Sequence, residues 1–204
     1  MKLDKNKKTI EAYDKNAAFY AEKFYTYAVR KDDIDRAFNF NKSGSLAVLE
    51  LGCGNGKEAK YIVSQVGIEN YNGLDASAGL IDFAKKKVPR VMFQVKDLRE
   101  VEFSDNQFGI IFSFATVLHM KHEDLAVLLQ KAGKWLKIGG ILYISSKYGD
   151  YKEMEIVNLG DTKYYYSYKP EDLVGMLGNY FEVVYKTIHD SEYGPSFTLA
   201  LRKT

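Results

Sequence analysis

The sequence is short of cysteine, of proline and of charge of either sign in excess. Its 204 residues hold one Cys, three Pro and one Trp. One cysteine closes no internal disulfide, which excludes a disulfide scaffold and a multi-cysteine metal site. Lys and Arg total 29 against 27 Asp and Glu, a net charge of +2. So small a surplus sets up no broad field for nucleic acid or an anionic membrane. Long apolar runs are missing too. Phe108–Phe114 and Ile141–Ile144 are far too short to span a bilayer. The N-terminus, MKLDKNKKTIEAYDKN, has charges with no apolar run behind them, so it does not read as a signal peptide. A cytoplasmic protein is the expectation. No internal repeat, low-complexity tract or linker is visible.

What is present is bulk. Sixteen Tyr and 12 Phe help bring the hydrophobic share to 46%, which argues for a folded chain. One domain is the default at this length, and such a chain buries roughly 70% of its unfolded surface. Residues 9–24 place Ile10, Tyr13, Ala17, Tyr20 and Phe24 at helical spacing. A second helix is read over 32–40. From Leu46 to Ser145 short apolar runs alternate with helical patterns. Strands are read at 46–51, 71–74, 91–95, 108–114 and 141–145. Helices are read at 58–66, at 78–87 with Ser77 as N-cap, and at 122–136, ended by Gly139-Gly140. That alternation predicts a parallel sheet covered on both faces. Beyond it come a hairpin (154–157 with 163–167), a helix opened by Pro170 and running to about Leu177, and two strands, 181–188 and 196–202. The turn between those two is placed at Tyr193-Gly-Pro195.

The strongest local signal is Glu50-Leu-Gly-Cys-Gly-Asn-Gly56, directly after the first strand. Glycines at alternate positions let the backbone turn sharply and approach a ligand, and the next helix offers free N–H groups. The dinucleotide spacing G-x-G-x-x-G fails at Lys57, and the P-loop spacing fails because Glu58 follows Lys57. An acid before the loop repels a pyrophosphate and welcomes an ammonium group.

Four segments in order then carry a resemblance: VLELGCGNG (48–56), LDASAGLIDFAKKK (74–87), VKDL (95–98) and FGIIFSFATVLHM (108–120). Over about Leu46–Ser145 the chain resembles the class I S-adenosylmethionine-dependent methyltransferases. The resemblance implies an α/β, Rossmann-like, doubly wound, mostly parallel seven-stranded sheet with helices on both faces and a C-terminal antiparallel hairpin strand. It also implies S-adenosyl-L-methionine as cofactor, with S-adenosyl-L-homocysteine as product. Gly52, Gly54 and Gly56 are then expected under the methionine and ribose parts, and Glu50 near the cofactor's amino group. Asp75, followed by Ala76, is expected at the ribose hydroxyls, and Asp97 with the Leu98 N–H at the adenine. Phe114, Tyr13 and Tyr20 are candidates for the sulfonium surround, although each equally suits a core position. His119 is the one titratable group close after the fourth strand and a candidate proton acceptor; it equally suits packing. Lys147, Tyr148 and Tyr165 are candidates for the acceptor site, within a Tyr-rich cap.

In this family metal-dependent catechol-type enzymes carry an acid after the fourth strand, and residues 113–118 contain none. The Asn/Asp-Pro-Pro-aromatic motif of adenine methylation is replaced by Ser113-Phe-Ala-Thr116, and Cys53 lies in the glycine loop, not after a proline. The expected reaction is methyl transfer to an O or N atom of a small molecule by in-line displacement, without nucleic acid, membrane or metal. The oligomeric state is left open. Protein methylation, S-adenosylmethionine binding without turnover and, remotely, a nucleotide-dependent oxidoreductase remain the alternatives. A single domain is expected, with a helical cap (1–44), a cofactor core (45–147), a Tyr-rich cap (148–170) and a closing helix and hairpin (171–204).

Overall fold

The first strand, β1 (Val48–Leu51), is buried along its whole length. Its four apolar or charge-masked side chains suit a strand covered on both faces. In the computed structural model, which describes residues 4–190 and 194–204, it lies near the centre of a seven-stranded sheet. β2 (Tyr71–Asp75), β3 (Met92–Val95), β4 (Phe108–Phe114) and β5 (Leu136–Lys147) run parallel to it. Two short strands near the N-terminal half of the hairpin region, β6 (Lys152–Asn158) and β7 (Asp161–Ser167), form a separate antiparallel pair. β8 (Phe181–His189) and β9 (Ser196–Lys203) complete the main sheet, in the order β3-β2-β1-β4-β5-β9-β8. β9 is antiparallel to both of its neighbours. The expected sheet, seven-stranded and mostly parallel with a closing hairpin, is the one observed.

Among the described residues seven α-helices surround it. α1 (Lys5–Lys15) and α2 (Ala17–Thr26) precede α3 (Lys31–Phe40), and α4 (Ala59–Val66), α5 (Ala78–Lys87), α6 (His122–Trp135) and α7 (Pro170–Leu177) follow. α6 and α7 bury Leu125, Leu128, Leu129, Leu173 and Leu177 against one face of the sheet. α3, α4 and α5 bury Ile34, Ile62 and Ile81 against the other. The chain reverses direction of winding between β1 and β4, and a crevice opens there at the carboxyl ends of the strands.

Two readings of the sequence need correction. The helix expected over 9–24 is two helices. Asn16 breaks it with φ −108° and ψ 25°, while its side-chain amide donates to the Ala12 carbonyl and to Asp161. The helix read over 122–136 ends at Trp135, one residue short, but Gly139-Gly140 are not its stop: β5 starts at Leu136 and passes through both glycines. Glycine is needed there for close backbone approach: a Cβ on Gly140 would lie 2.8 Å from the Gly109 carbonyl oxygen. The ladder with β4 shifts register at the same place. Of the turn expected at 193–195, Tyr193 lies outside the described residues. Among the described residues no helix is long and apolar enough to cross a membrane.

Candidate functional site

A cavity of about 320 Å³ lies at the crevice. Its floor is the glycine loop, whose three glycines have φ of +76°, +54° and +74° at 52, 54 and 56. A Cβ on Gly52 would sit 2.0 Å from Thr116 Oγ1, so no side chain fits where the loop meets the segment after β4. Gly52 and Gly54 line the cavity. Gly56 does not. A Cβ there would sit 3.0 Å from that of Ala84, so this glycine lets the loop pack on α5.

Asp75, at the end of β2, holds the loop in place. Its carboxylate accepts the Gly54 N–H and the Ser77 N–H, each at 2.9 Å, and still lines the cavity with Ala76. Burial raises its pKa, against the pull of those backbone bonds. Ser77 caps α5 by accepting from the Leu80 N–H and donates to Asp14. Asp97 and Leu98 line the cavity after β3. Asp97 is also clamped by Arg99, at 2.6 Å to Nη2, and Arg99 reaches on to Asp4 at the start of α1. Glu50 lies outside the cavity lining. Its buried carboxyl takes the Tyr71 hydroxyl, and burial, then Glu58, raises its pKa well above the usual carboxylate range.

Aromatic rings from the N-terminal helices roof the cavity: Tyr13, Phe24 and Tyr27, with Phe114 from β4. Tyr20 is buried one layer behind, 4.7 Å from the Tyr13 ring. Period-two alternation along β7 decides the tyrosine-rich stretch. Tyr165 turns to the cavity, while Tyr164, Tyr166 and Tyr168 turn into the main core. Tyr148 packs against that core and lines neither of the two cavities, and Lys147 lines the second one. The lip after β4 is strained, since Ala115 has φ +51°, rare for a residue with a Cβ.

His119 sits at the roof edge, and its tautomer follows from its partners. Nδ1 lies 3.0 Å from the Tyr164 carbonyl oxygen, which only accepts, so Nδ1 carries the proton. Nε2 is then an acceptor, and Tyr13 donates to it at 3.1 Å. Tyr165 lies 3.4 Å from the Tyr13 oxygen and extends the chain. Burial lowers the His119 pKa to about 4, with Lys163 adding to the shift. Lys163 is itself buried among the Tyr13, Tyr20 and Tyr165 rings, 4.2 Å from the nearest centroid, and burial lowers its pKa to about 8. The ring faces offset part of that burial cost. Sequence reasoning did not single out Lys163, Phe24, Tyr27 or Arg30 for the site. Only proximity in the fold brings them to the site.

Comparisons with known proteins agree with this geometry. Residues 48–140 match the model of a methyltransferase domain family. Phosphoethanolamine N-methyltransferase of Plasmodium falciparum (isolate 3D7) is 32% identical over 109 residues, 52% of this chain and 41% of that protein. Malonyl-[acyl-carrier protein] O-methyltransferase of Priestia megaterium is 32% identical over 103 residues, 50% of this chain and 36% of that protein. The chain thus spans less than half the length of these two relatives. Magnesium protoporphyrin IX methyltransferase of Synechocystis PCC 6803, crystallised with bound S-adenosylmethionine, superposes with a TM-score of 0.76. The match is 13% identical and covers 100% of this chain and 99% of that one. In its sheet order, its glycine loop and the match over residues 48–140, the chain carries a methyltransferase domain similar to those of the class I S-adenosylmethionine-dependent methyltransferases.

Proposed function

We propose that the protein is a methyltransferase that moves a methyl group from S-adenosyl-L-methionine to an O or N atom of a small-molecule acceptor. The observation that carries this reading is a single cavity in which the glycine loop, Asp75, Asp97 and a ring of aromatic side chains face one another. The donor set fits the cofactor. A carboxylate at 75 suits a pair of ribose hydroxyls. Leu98 offers an apolar wall for a purine, and Asp97 and the Leu98 N–H suit its hydrogen-bonding edge. Tyr13, Phe24, Tyr27 and Phe114 suit a sulfonium cation, which is drawn to ring faces. The bound cofactor supplies an electrophilic methyl group for in-line displacement. Glu50 lies outside the lining, with its carboxyl engaged by the Tyr71 hydroxyl.

The chain's own task is to orient, to exclude water and to handle one proton. Helices α1 and α2 and hairpin β6–β7 cover the crevice: Thr9 Oγ1 accepts the Tyr164 N–H at 2.9 Å, and Asn55 Nδ2 donates to the Ala21 carbonyl at 2.8 Å. A neutral His119 is an acceptor, and its lone pair is already engaged by Tyr13. Tyr13 therefore serves as the contact point. Its hydroxyl takes a proton from the acceptor atom as its own passes to Nε2, so the pair gains one proton and the acceptor loses one. An acceptor that arrives deprotonated needs no such transfer. The small-molecule reading is supported by the relative named for phosphoethanolamine.

The test is transfer of an isotope-labelled methyl group from S-adenosylmethionine into a cell-extract metabolite pool, read by mass spectrometry. Label in a small molecule is the expected outcome. Label only in protein would replace the acceptor class, and no label with the cofactor bound would leave a binding protein.

A further inference from the structure

A second, open cavity of about 880 Å³ adjoins the first. The two share Tyr27, Arg30, Lys57, Ala115 and Leu118, so they meet at the strained lip after β4. Resting on the methyltransferase reading above, we propose that this second cavity seats the methyl acceptor. We further propose that the acceptor is an organic anion, a carboxylate or a phosphate ester, with an apolar body.

Three observations converge on it. The first is unmet hydrogen bonding. Ser145 and Ser146, at the end of β5, line the cavity with 5% and 3% of their surface exposed, and neither hydroxyl has a partner. Such buried hydroxyls call for a partner the chain itself does not supply, a water or a ligand. The second is charge. Five Lys or Arg side chains line the cavity against two Asp, with His189 beside them. Asp33 is already held by Arg36 at 2.8 Å and by the Tyr143 hydroxyl at 2.7 Å. Arg30 reaches the same carboxylate only at 3.6 Å and lies over the Phe114 ring, at the boundary between the cavities. Two guanidinium groups thus share one acid, and an anion is the complement. The third is shape. Phe197, Leu118 and Val29 supply apolar wall, and the volume falls in the range that holds a drug-sized molecule. Side chains alternate along β5, so Ser145 shares the face of Tyr143 and α3, and an anionic group placed between Arg30 and Ser145 leaves the rest of the acceptor pointing at the lip.

Calorimetry tests this in two steps. S-adenosylhomocysteine is first titrated into the protein, and absence of binding there overturns the cofactor reading and this one with it. Inorganic phosphate and benzoate are then titrated separately into the S-adenosylhomocysteine-saturated protein at fixed ionic strength. At least one anion is expected to bind; phosphate alone makes the acceptor a phosphate ester, benzoate alone a carboxylate. Lys147→Met, at a residue that lines only the second cavity, is expected to weaken that binding tenfold or more, with S-adenosylhomocysteine affinity within threefold. Arg30→Met is expected to weaken the anion by a similar factor. Ser145→Ala is expected to weaken the anion several-fold while raising the melting temperature of the ligand-free protein, because it removes an unpaired buried hydroxyl. Cofactor binding with no anion binding would overturn the proposal. So would anions that compete with S-adenosylhomocysteine, or anion affinity unchanged in these variants.

Discussion

The proton on His119 is fixed by what its two nitrogens touch, and that has consequences for pH. With a pKa near 4 the ring stays neutral at every ordinary assay pH. Its protonation is therefore expected to cut no limb from a kcat/KM profile between pH 5.5 and 8. Lys163→Met removes a charge that lowers this pKa and should move the acid limb upward from about pH 4, read in a profile extended below pH 5. Stability follows the same shift. The unfolded chain binds a proton near pH 6.5 that the folded one refuses until about pH 4, so stability falls as pH drops through that window. One group contributes at most ~1.4 kcal/mol per pH unit. Urea unfolding at pH 7 and 5 measures it, and His119→Gln should flatten the difference. With an acceptor in hand, His119→Ala should lower kcat by roughly 10²–10⁴ with cofactor affinity little changed; unaltered turnover would make His119 purely structural. Asp75 and His119 were legible in the sequence because each sits at a fixed offset from a recognisable strand end. Lys163 was not, since nothing in its neighbours announces the three rings that enclose it.

The covering elements depend on contacts far apart along the chain, and there local pattern carries less. The hairpin β6–β7 was visible from its composition, but which tyrosine would face the cavity depended on register. The break between α1 and α2 was invisible, because Asn16 turns out of the helix toward Asp161 of the hairpin, and Lys15 pairs with the same carboxylate at 3.0 Å. Asp161→Ala should destabilise the chain only slightly, since these bonds are solvent-screened. Its sharper effect is expected in hydrogen exchange, as faster exchange confined to α1, α2 and the hairpin. Uniform loss of protection across the sheet would contradict a local covering role. The misread stop of α6 has a similar origin. Two adjacent glycines read locally as a helix stop, and only the approach of β4 shows why a strand needs them.

For the whole molecule, the mostly parallel sheet was the most legible property, because five apolar runs are interleaved with three helical patterns before the closing hairpin. The sheet places the glycine loop after β1 beside the lip after β4, with Gly52 against Thr116. Gly52→Ala is expected to abolish cofactor binding, since both the positive φ and the 2.0 Å approach to Thr116 oppose a side chain. The second cavity was not legible, because its walls come from α3, β5, β8 and β9 at once. The measurement closest to the centre is calorimetric titration of S-adenosylhomocysteine into the wild-type protein, the Asp75→Ala variant and, as a control ligand, NAD into the wild type. Saturable 1:1 binding to the wild type, at least tenfold weaker in Asp75→Ala and absent for NAD, is the expected result. No binding of the sulfur nucleoside, or equal binding by both proteins, would contradict the assignment of this cavity.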